Sequence, residues 1–224
     1  DEDRAEKHRQ PELARQIGLA VDNVHAPYGN TNALWEDGIE GEAYLQTLLS
    51  CIGDCSLHGI PTSVVHITRL SIRPEVTRIG MDRVKRLVEF AEQKQVNLAI
   101  ENLNSIPHLD SIYAELSSER LGFCYDSGHE HFIHPNADCL SRYGNKLFAV
   151  HLHDNCGDSD AHLLPYDGTI EWDAVRTKLK ACREIPYLTL EVDFKREHPK
   201  SALYRGLSAA EFLALAYARL QLLA

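Results

Sequence analysis

The sequence has no apolar run approaching the roughly 20 residues a membrane-spanning helix needs. It opens on DEDRAEKHRQ, where a secretory leader would be basic and then apolar. Neither a membrane partner nor export is expected. The six cysteines, Cys51, Cys55, Cys124, Cys139, Cys156 and Cys182, include no CxxC pair. Reduced thiols in a cytoplasmic setting are therefore expected rather than a disulfide framework. Basic residues are few: 23 Lys and Arg stand against 33 Asp and Glu, a formal charge of −10, the wrong sign for a general nucleic-acid binder. No Ser/Gly/Pro-rich linker or low-complexity tract interrupts the 224 residues, so one domain over 1–224 is the simplest account.

What is present is ordinary globular composition with an unusual stock of histidine, 12 residues. Helix and strand patterns alternate along the chain. A polar helix over 3–16, interrupted at Pro11, leads to a strand in IGLAVDNVHA. A helix over 40–58 precedes the strand TSVVHIT at 62–68. The amphipathic helix over 80–95 places Val84, Leu87, Val88 and Ala91 on one face and feeds VNLAIEN. A weak helix near 110–118 leads to LGFCYD, a helix near 136–143 to KLFAVHLHD, and a helix near 171–183 to YLTLEVD, before a final helix over 208–223. The strands are near-continuous apolar runs joined through helix-length connections, as in parallel sheets buried on both faces. A doubly wound sheet or a β/α barrel fits, and a barrel gathers its site from the C-terminal ends of most strands.

Six consecutive strands end in a group that can bind a metal or move a proton: His25, His66, Glu101, Asp126, His151 and Glu191. One such buried group is usually a hydrogen-bonded structural residue. Six in register point to a shared divalent cation, because Glu101, Asp126 and Glu191 would otherwise be costly to bury and no Lys or Arg stands beside them. Carboxylate and imidazole ligands suit zinc, manganese or iron. In DSGH a tight Ser-Gly turn is expected to bring His129 back toward the same centre. The loop after VHLHDN adds Asp160 and His162 as a D-x-H pair, and His153 shares a strand face with His151. The remaining histidines, His8, His58, His108, His131, His134 and His198, read as solvated surface groups. Cys124 and Cys156 are near the site in sequence but show no arrangement that makes a nucleophile.

The motifs VHAPY, VVHIT, IENL, CYDSGH, VHLHDN, the D-x-H loop running into DGTIEW, and LEV cover essentially the whole chain in order. Together they resemble the xylose isomerase-like β/α barrels, sugar isomerases and epimerases whose superfamily also contains the endonuclease IV apurinic-site nucleases. The resemblance implies a (β/α)8 TIM barrel and one divalent cation held by Glu101, Asp126, His151 and Glu191. His151 rather than His153 matches the family's His-x-x-Asp pattern, here His151 to Asp154. The nuclease branch holds three zincs, at positions that look like His25, His66, Glu101, Asp126, His129, His151, Asp160, His162 and Glu191. A barrel has eight strands and six are read here, so the first one or two N-terminal strands, about 50 residues with a helix, are expected to be missing from this sequence.

The resemblance implies a metal-dependent isomerase or epimerase of a sugar or sugar-derived keto compound. The cofactor would be a divalent ion (manganese, zinc, cobalt or magnesium), and Glu101 and Glu191 would be the proton-transferring pair. His25, His66, His129, His153, Asp160 and His162 are expected to bind substrate or a second metal. A sugar is the expected partner, with a homo-oligomer left open. The alternatives are a zinc-dependent apurinic-site nuclease and a non-catalytic sugar-binding barrel.

Overall fold

The computed structural model describes residues 2–194, 202 and 204–223. His198 lies outside the described residues. The chain forms two compact units, the first from residues 1–100 and 107–122, the second from residues 101–106 and 123–224. Each repeats one theme, parallel strands in sequence order with helices between them.

In the first unit α1 (Glu2–Gln16) runs straight through Pro11, contrary to the expected break. Proline's cost here is one missing intrahelical hydrogen bond, and the ring is buried. The strand expected over 17–26 shrinks to β1 (Asn23–His25), because residues 17–19 finish the helix. Gly18 takes φ +85°, and Leu19 N–H bonds the Ala14 carbonyl at 3.0 Å. Next come α2 (Ile39–Leu57), β2 (Thr62–Val65) and α3 (Arg78–Lys94). Thr77 caps α3 through the Gly80 N–H, and Val84, Leu87, Val88 and Ala91 are buried as the periodicity requires. β3 (Asn97–Glu101) follows, then α4 (Ile106–Glu115), which starts earlier than the pattern suggested. β1 pairs with β2, and β2 with β3, all parallel.

His108 departs from expectation. It is fully buried rather than solvated, its ring 4.4 Å from that of Trp35. Burial, reinforced by the charge of Arg73, pulls its pKa down to about 4.

The second unit carries β4 (Leu121–Asp126), α5 (Ser127–Ile133), α6 (Cys139–Tyr143), β5 (Leu147–Leu152), α7 (Trp172–Ala181), β6 (Thr189–Leu190) and α8 (Ala209–Gln221). Every residue of β4 and β5 is buried, as continuous apolar strands covered on both faces should be. β6 is much shorter than the apolar run 187–193. A capping box of Ser208 and Glu211 starts α8, whose Phe212 and Ala216 pack with Leu164 and Tyr204. With six parallel strands among the described residues, the architecture is a partial (β/α)8 barrel. No helix of the described residues is long and apolar enough to cross a membrane.

One carboxylate organises the loop after β5. Asp154 is fully buried and accepts four hydrogen bonds. Oδ1 takes the N–H groups of Asn155 (2.9 Å) and Ile170 (3.1 Å), and Oδ2 takes the Tyr166 N–H (3.0 Å) and the Trp172 indole N–H (2.7 Å). A backbone pair with Leu163, at 2.8 and 2.9 Å, ties the same residue to the middle of the loop. The charge is thus neutralised by donors rather than by a cation or a base.

Asp154→Ala leaves those donors buried without an acceptor. It is expected to cost about 3 kcal/mol or more in denaturant unfolding, with Asp154→Asn losing less; a shift within 0.5 kcal/mol in either would contradict this role. For His108 the unfolded pKa near 6.5 lies above the folded value, so its contribution is complete above pH 6.5 and is lost as pH falls toward 4. Stability of His108→Leu should therefore fall less steeply than wild type over that window, and parallel curves would show that the imidazole is not held neutral.

Candidate metal centre

The backbone sets four side chains that can ligate a metal together in the second unit. The register of β4 and β5 places Asp126 opposite His151, and that of β5 and β6 places Leu152 opposite Leu190. Glu191 follows directly, its N–H bonded to the Leu152 carbonyl at 3.1 Å. Glu101 is tied in by its neighbour Asn102, whose side chain donates to the Asp126 carbonyl (2.8 Å) and accepts from the Asp126 N–H (2.7 Å). The amide thus makes the pair of bonds that a strand neighbour would make. Glu101, Asp126, His151 and Glu191 offer ligand atoms all within 4.8 Å of one another. His151 Nδ1 lies 3.3 Å from Glu101 Oε2 and 3.0 Å from Glu191 Oε2.

Electrostatics hold Asp126, His129 and His151 in their charged forms. Burial opposes ionisation of Asp126, yet the charges of His129 and His153 outweigh it and keep the carboxyl well below its usual range. Burial likewise lowers His129, but Asp126 and Glu101 raise it to about 10. His151 is also raised against the effect of burial, by the neighbouring Glu101. Three carboxylates share this small space, and some of their oxygens lack a hydrogen-bond partner among the described residues. These are Asp126 Oδ2 and Glu191 Oε2, with Asp160 Oδ1 beside them. An uncompensated buried oxygen costs about 1–3 kcal/mol, more when charged, and a divalent cation removes that cost. Two or three carboxylates with an imidazole are a donor set suited to zinc, manganese or cobalt, so the residues fit the metal that the motifs imply.

Other expected residues surround this set. The DSGH segment is not a tight turn but the first turn of α5, with Asp126 as its N-cap: Oδ1 accepts the His129 N–H at 2.6 Å. This still delivers the ring, and His129 Nδ1 lies 3.1 Å from Glu101 Oε1. His153 is fully buried, with Nε2 3.1 Å from Asp126 Oδ1. In the loop, His162 Nδ1 meets the Glu191 carbonyl at 2.8 Å and Nε2 meets Asp160 at 3.1 Å. His162 adopts φ +47°, so the loop backbone is bent to present the ring. In the first unit His25 and His66 face each other, with Nε2 atoms 3.3 Å apart and rings edge to face.

Among the histidines assigned to the surface, His131 bonds Thr169 at 2.8 Å, and His8 bonds His58 at 2.8 Å. Cys124 groups with Glu101 and His151, and burial pushes its thiol up to about 12. The sequence reading gave no role to Asn102 and read Ser127 and Gly128 only as a turn. Ser127 exchanges hydrogen bonds with the His153 backbone at 2.8 and 3.0 Å, and Gly128 packs on the His153 ring. The only available signal was their position beside predicted ligands.

The family model for the xylose isomerase-like TIM barrel matches residues 3–210. The uncharacterised protein y4fM of Sinorhizobium fredii is 36% identical over 111 residues, which cover 46% of this chain and 36% of that protein. The chain thus spans well under half the length of this curated relative. Among solved structures, a D-tagatose 3-epimerase-like protein has a TM-score of 0.66 at 21% identity, covering 94% of this chain and 83% of that one. The IOLI protein with a bound zinc atom has a TM-score of 0.76 at 18% identity, covering 99% and 83%. At these identities the structures speak for the fold, while the family model spans most of the sequence. The chain belongs to the xylose isomerase-like TIM barrel family.

Proposed function

We propose that this chain carries the active site of a divalent-metal-dependent isomerase or epimerase acting on a sugar or sugar-derived keto compound. The observation that carries this reading is the convergence of Glu101, Asp126, His151 and Glu191 within 4.8 Å, at the C-terminal ends of successive parallel strands. The solved epimerase-like relative and the zinc-bound IOLI structure support the general kind of chemistry and ligand.

Those four side chains would hold the cation. When bound, it supplies Lewis acidity toward a carbonyl and the neighbouring hydroxyl oxygen. Glu101 and Glu191 reach the centre from different strands, so one carboxylate can remove the proton from the carbon beside the carbonyl. The C–H electron pair then forms the carbon–carbon double bond of an ene-diolate. Return of a proton to the opposite face of the same carbon gives an epimer, and return to the adjacent carbon gives an isomer. The two carboxylates differ in exposure: the Glu101 side chain is 1% exposed and Glu191 is 39%. Glu191 is therefore the one placed to meet a substrate from solvent, and Glu101 is the more deeply buried partner. His162, bonded to the Glu191 carbonyl, fixes the backbone beside that base.

In deuterated buffer with a panel of ketoses, wild-type protein loaded with Mn, Co or Zn is expected to incorporate deuterium beside the carbonyl. Glu101→Gln and Glu191→Gln should each slow that exchange by about 100-fold or more, the range for loss of a general acid or base. Exchange retained in the doubly substituted protein with metal still bound would sink the acid/base assignment. Protein that gains no divalent ion from any of these metals would sink the whole reading.

A further inference from the structure

We propose that Cys51 is a covalent modification site for an apolar α,β-unsaturated ketone or aldehyde, which enters a cavity of the first unit and is captured there by the Cys51 sulfur. The site lies apart from the candidate metal centre and does not depend on it: none of Glu101, Asp126, His151 and Glu191 lines the cavity.

The cavity, about 830 Å³, is lined from α1, β1 and α2. That is within the range of about 300–1,000 Å³ typical of small-molecule sites. Pro11, Ala14, Val21, Val24, Ala43 and Ile60 supply its apolar lining, and Cys51 and Cys55 stand in the wall. Polar contacts tie α1 to α2 at its rim: Lys7 pairs with Asp54 at 2.6 Å, His8 meets His58 at 2.8 Å, and Arg15 donates to the His58 carbonyl at 2.6 Å. The two helices are thus joined by polar groups, and the apolar walls between them keep room for a ligand without charge.

Local chemistry makes Cys51 the nucleophile of this wall. Its Sγ accepts a hydrogen bond from the Ser63 hydroxyl at 3.6 Å, and Ser63 is fully buried on β2. The Cys55 thiol, one turn further along α2, reaches the same sulfur; its bond to the Thr62 carbonyl, at 4.0 Å, is long enough to be given up. Hydrogen bonding from Cys55, against burial and with help from Ser63, brings the Cys51 thiol down to about 7. Asp54 opposes this and Lys7 assists it. Cys55 is pushed up by the same bond and by burial, so it remains the donor.

The two thiols do not close into a disulfide on an intact helix. Residues four apart have Cβ atoms about 5–6 Å apart, and a disulfide needs about 3.8 Å. Cys51 therefore stays a single nucleophile with a built-in donor beside it. In the capture step its sulfur electron pair forms a C–S bond to the β-carbon of the ligand, the carbon–carbon π pair shifts to the α-carbon, and water delivers a proton there. The proton released by the Cys51 thiol balances the hydroxide so formed, and no group leaves.

The test is time-resolved peptide mapping by mass spectrometry on the whole chain at pH 7, with 3-nonen-2-one as the apolar probe and acrylamide as a polar reagent that adds to thiols in the same way. The more exposed Cys156 and Cys182 serve as internal competitors. The enone is expected to add to Cys51 about tenfold faster than to either, the gain in thiolate over a free cysteine of pKa about 8.5. Acrylamide, which lacks the apolar chain, should show a smaller preference. Ala43→Phe places a ring in the cavity and should slow enone addition at Cys51 several-fold while leaving the competitors unchanged; Ser63→Ala should slow both reagents at Cys51. First addition at Cys156 or Cys182, an equal preference with both reagents, or an Ala43→Phe protein that reacts like wild type would each overturn the proposal. Should Ser63→Ala fail to fold, the wild-type maps and Ala43→Phe decide without it.

Discussion

The second unit is governed by the crowding of buried carboxylates whose charge is met, among the described residues, by imidazoles. Glu101 and Asp126 are essentially inaccessible to solvent, and the imidazoles of His129, His151 and His153 lie 3.1 to 3.6 Å from them. Strand register makes this unavoidable: Asp126 is paired opposite His151, so the apolar strands that form the sheet also fix the spacing of the charges at its end. Stability and binding chemistry are thus set by the same ladder of backbone bonds. A cation at the centre would relieve the repulsion that the fold creates, which couples metal uptake to folding free energy.

Around that centre the structure divides supporting work between two polar residues whose neighbours do the chemistry. Asn102 follows Glu101 and ties it to the next strand by side-chain amide bonds. Asp154 follows His153 and ties the loop bearing Asp160 and His162 to Trp172 at the start of α7. Ligands held by backbone and amide contacts of this kind keep their positions without depending on the ion. Preorganised sites need that property if binding energy is not to be spent on ordering the protein.

Much of this was legible in the sequence, for identifiable reasons. All six strands were found because continuous apolar runs between helical patterns have few other readings, and α3 was placed to within two residues because its four apolar positions share one face. The candidate ligands were visible because polar residues that interrupt apolar strands at the same relative position stand out. What escaped was set by contacts remote in sequence. The burial of His108 depends on Trp35, and nothing in IPHLDS announces it. The end of α1 at Gly18 was hidden inside an apolar run that also suits a strand. DSGH was read as a turn because Ser-Gly favours one, whereas the Asp126 cap converts the same residues into a helix start. Asp154 stood out only as the end of a His-x-x-Asp pattern, and its four donors come from positions up to 18 residues away.

The contact between Gly128 and His153 joins two segments that are 25 residues apart in the chain. Neither can change alone without penalty: an added methyl group at 128 has no space while the imidazole is present, and a smaller residue at 153 opens a void over the glycine. In the history of such a chain the two positions would be expected to move as a pair, and a drifting lineage would meet a barrier at the first of the two steps.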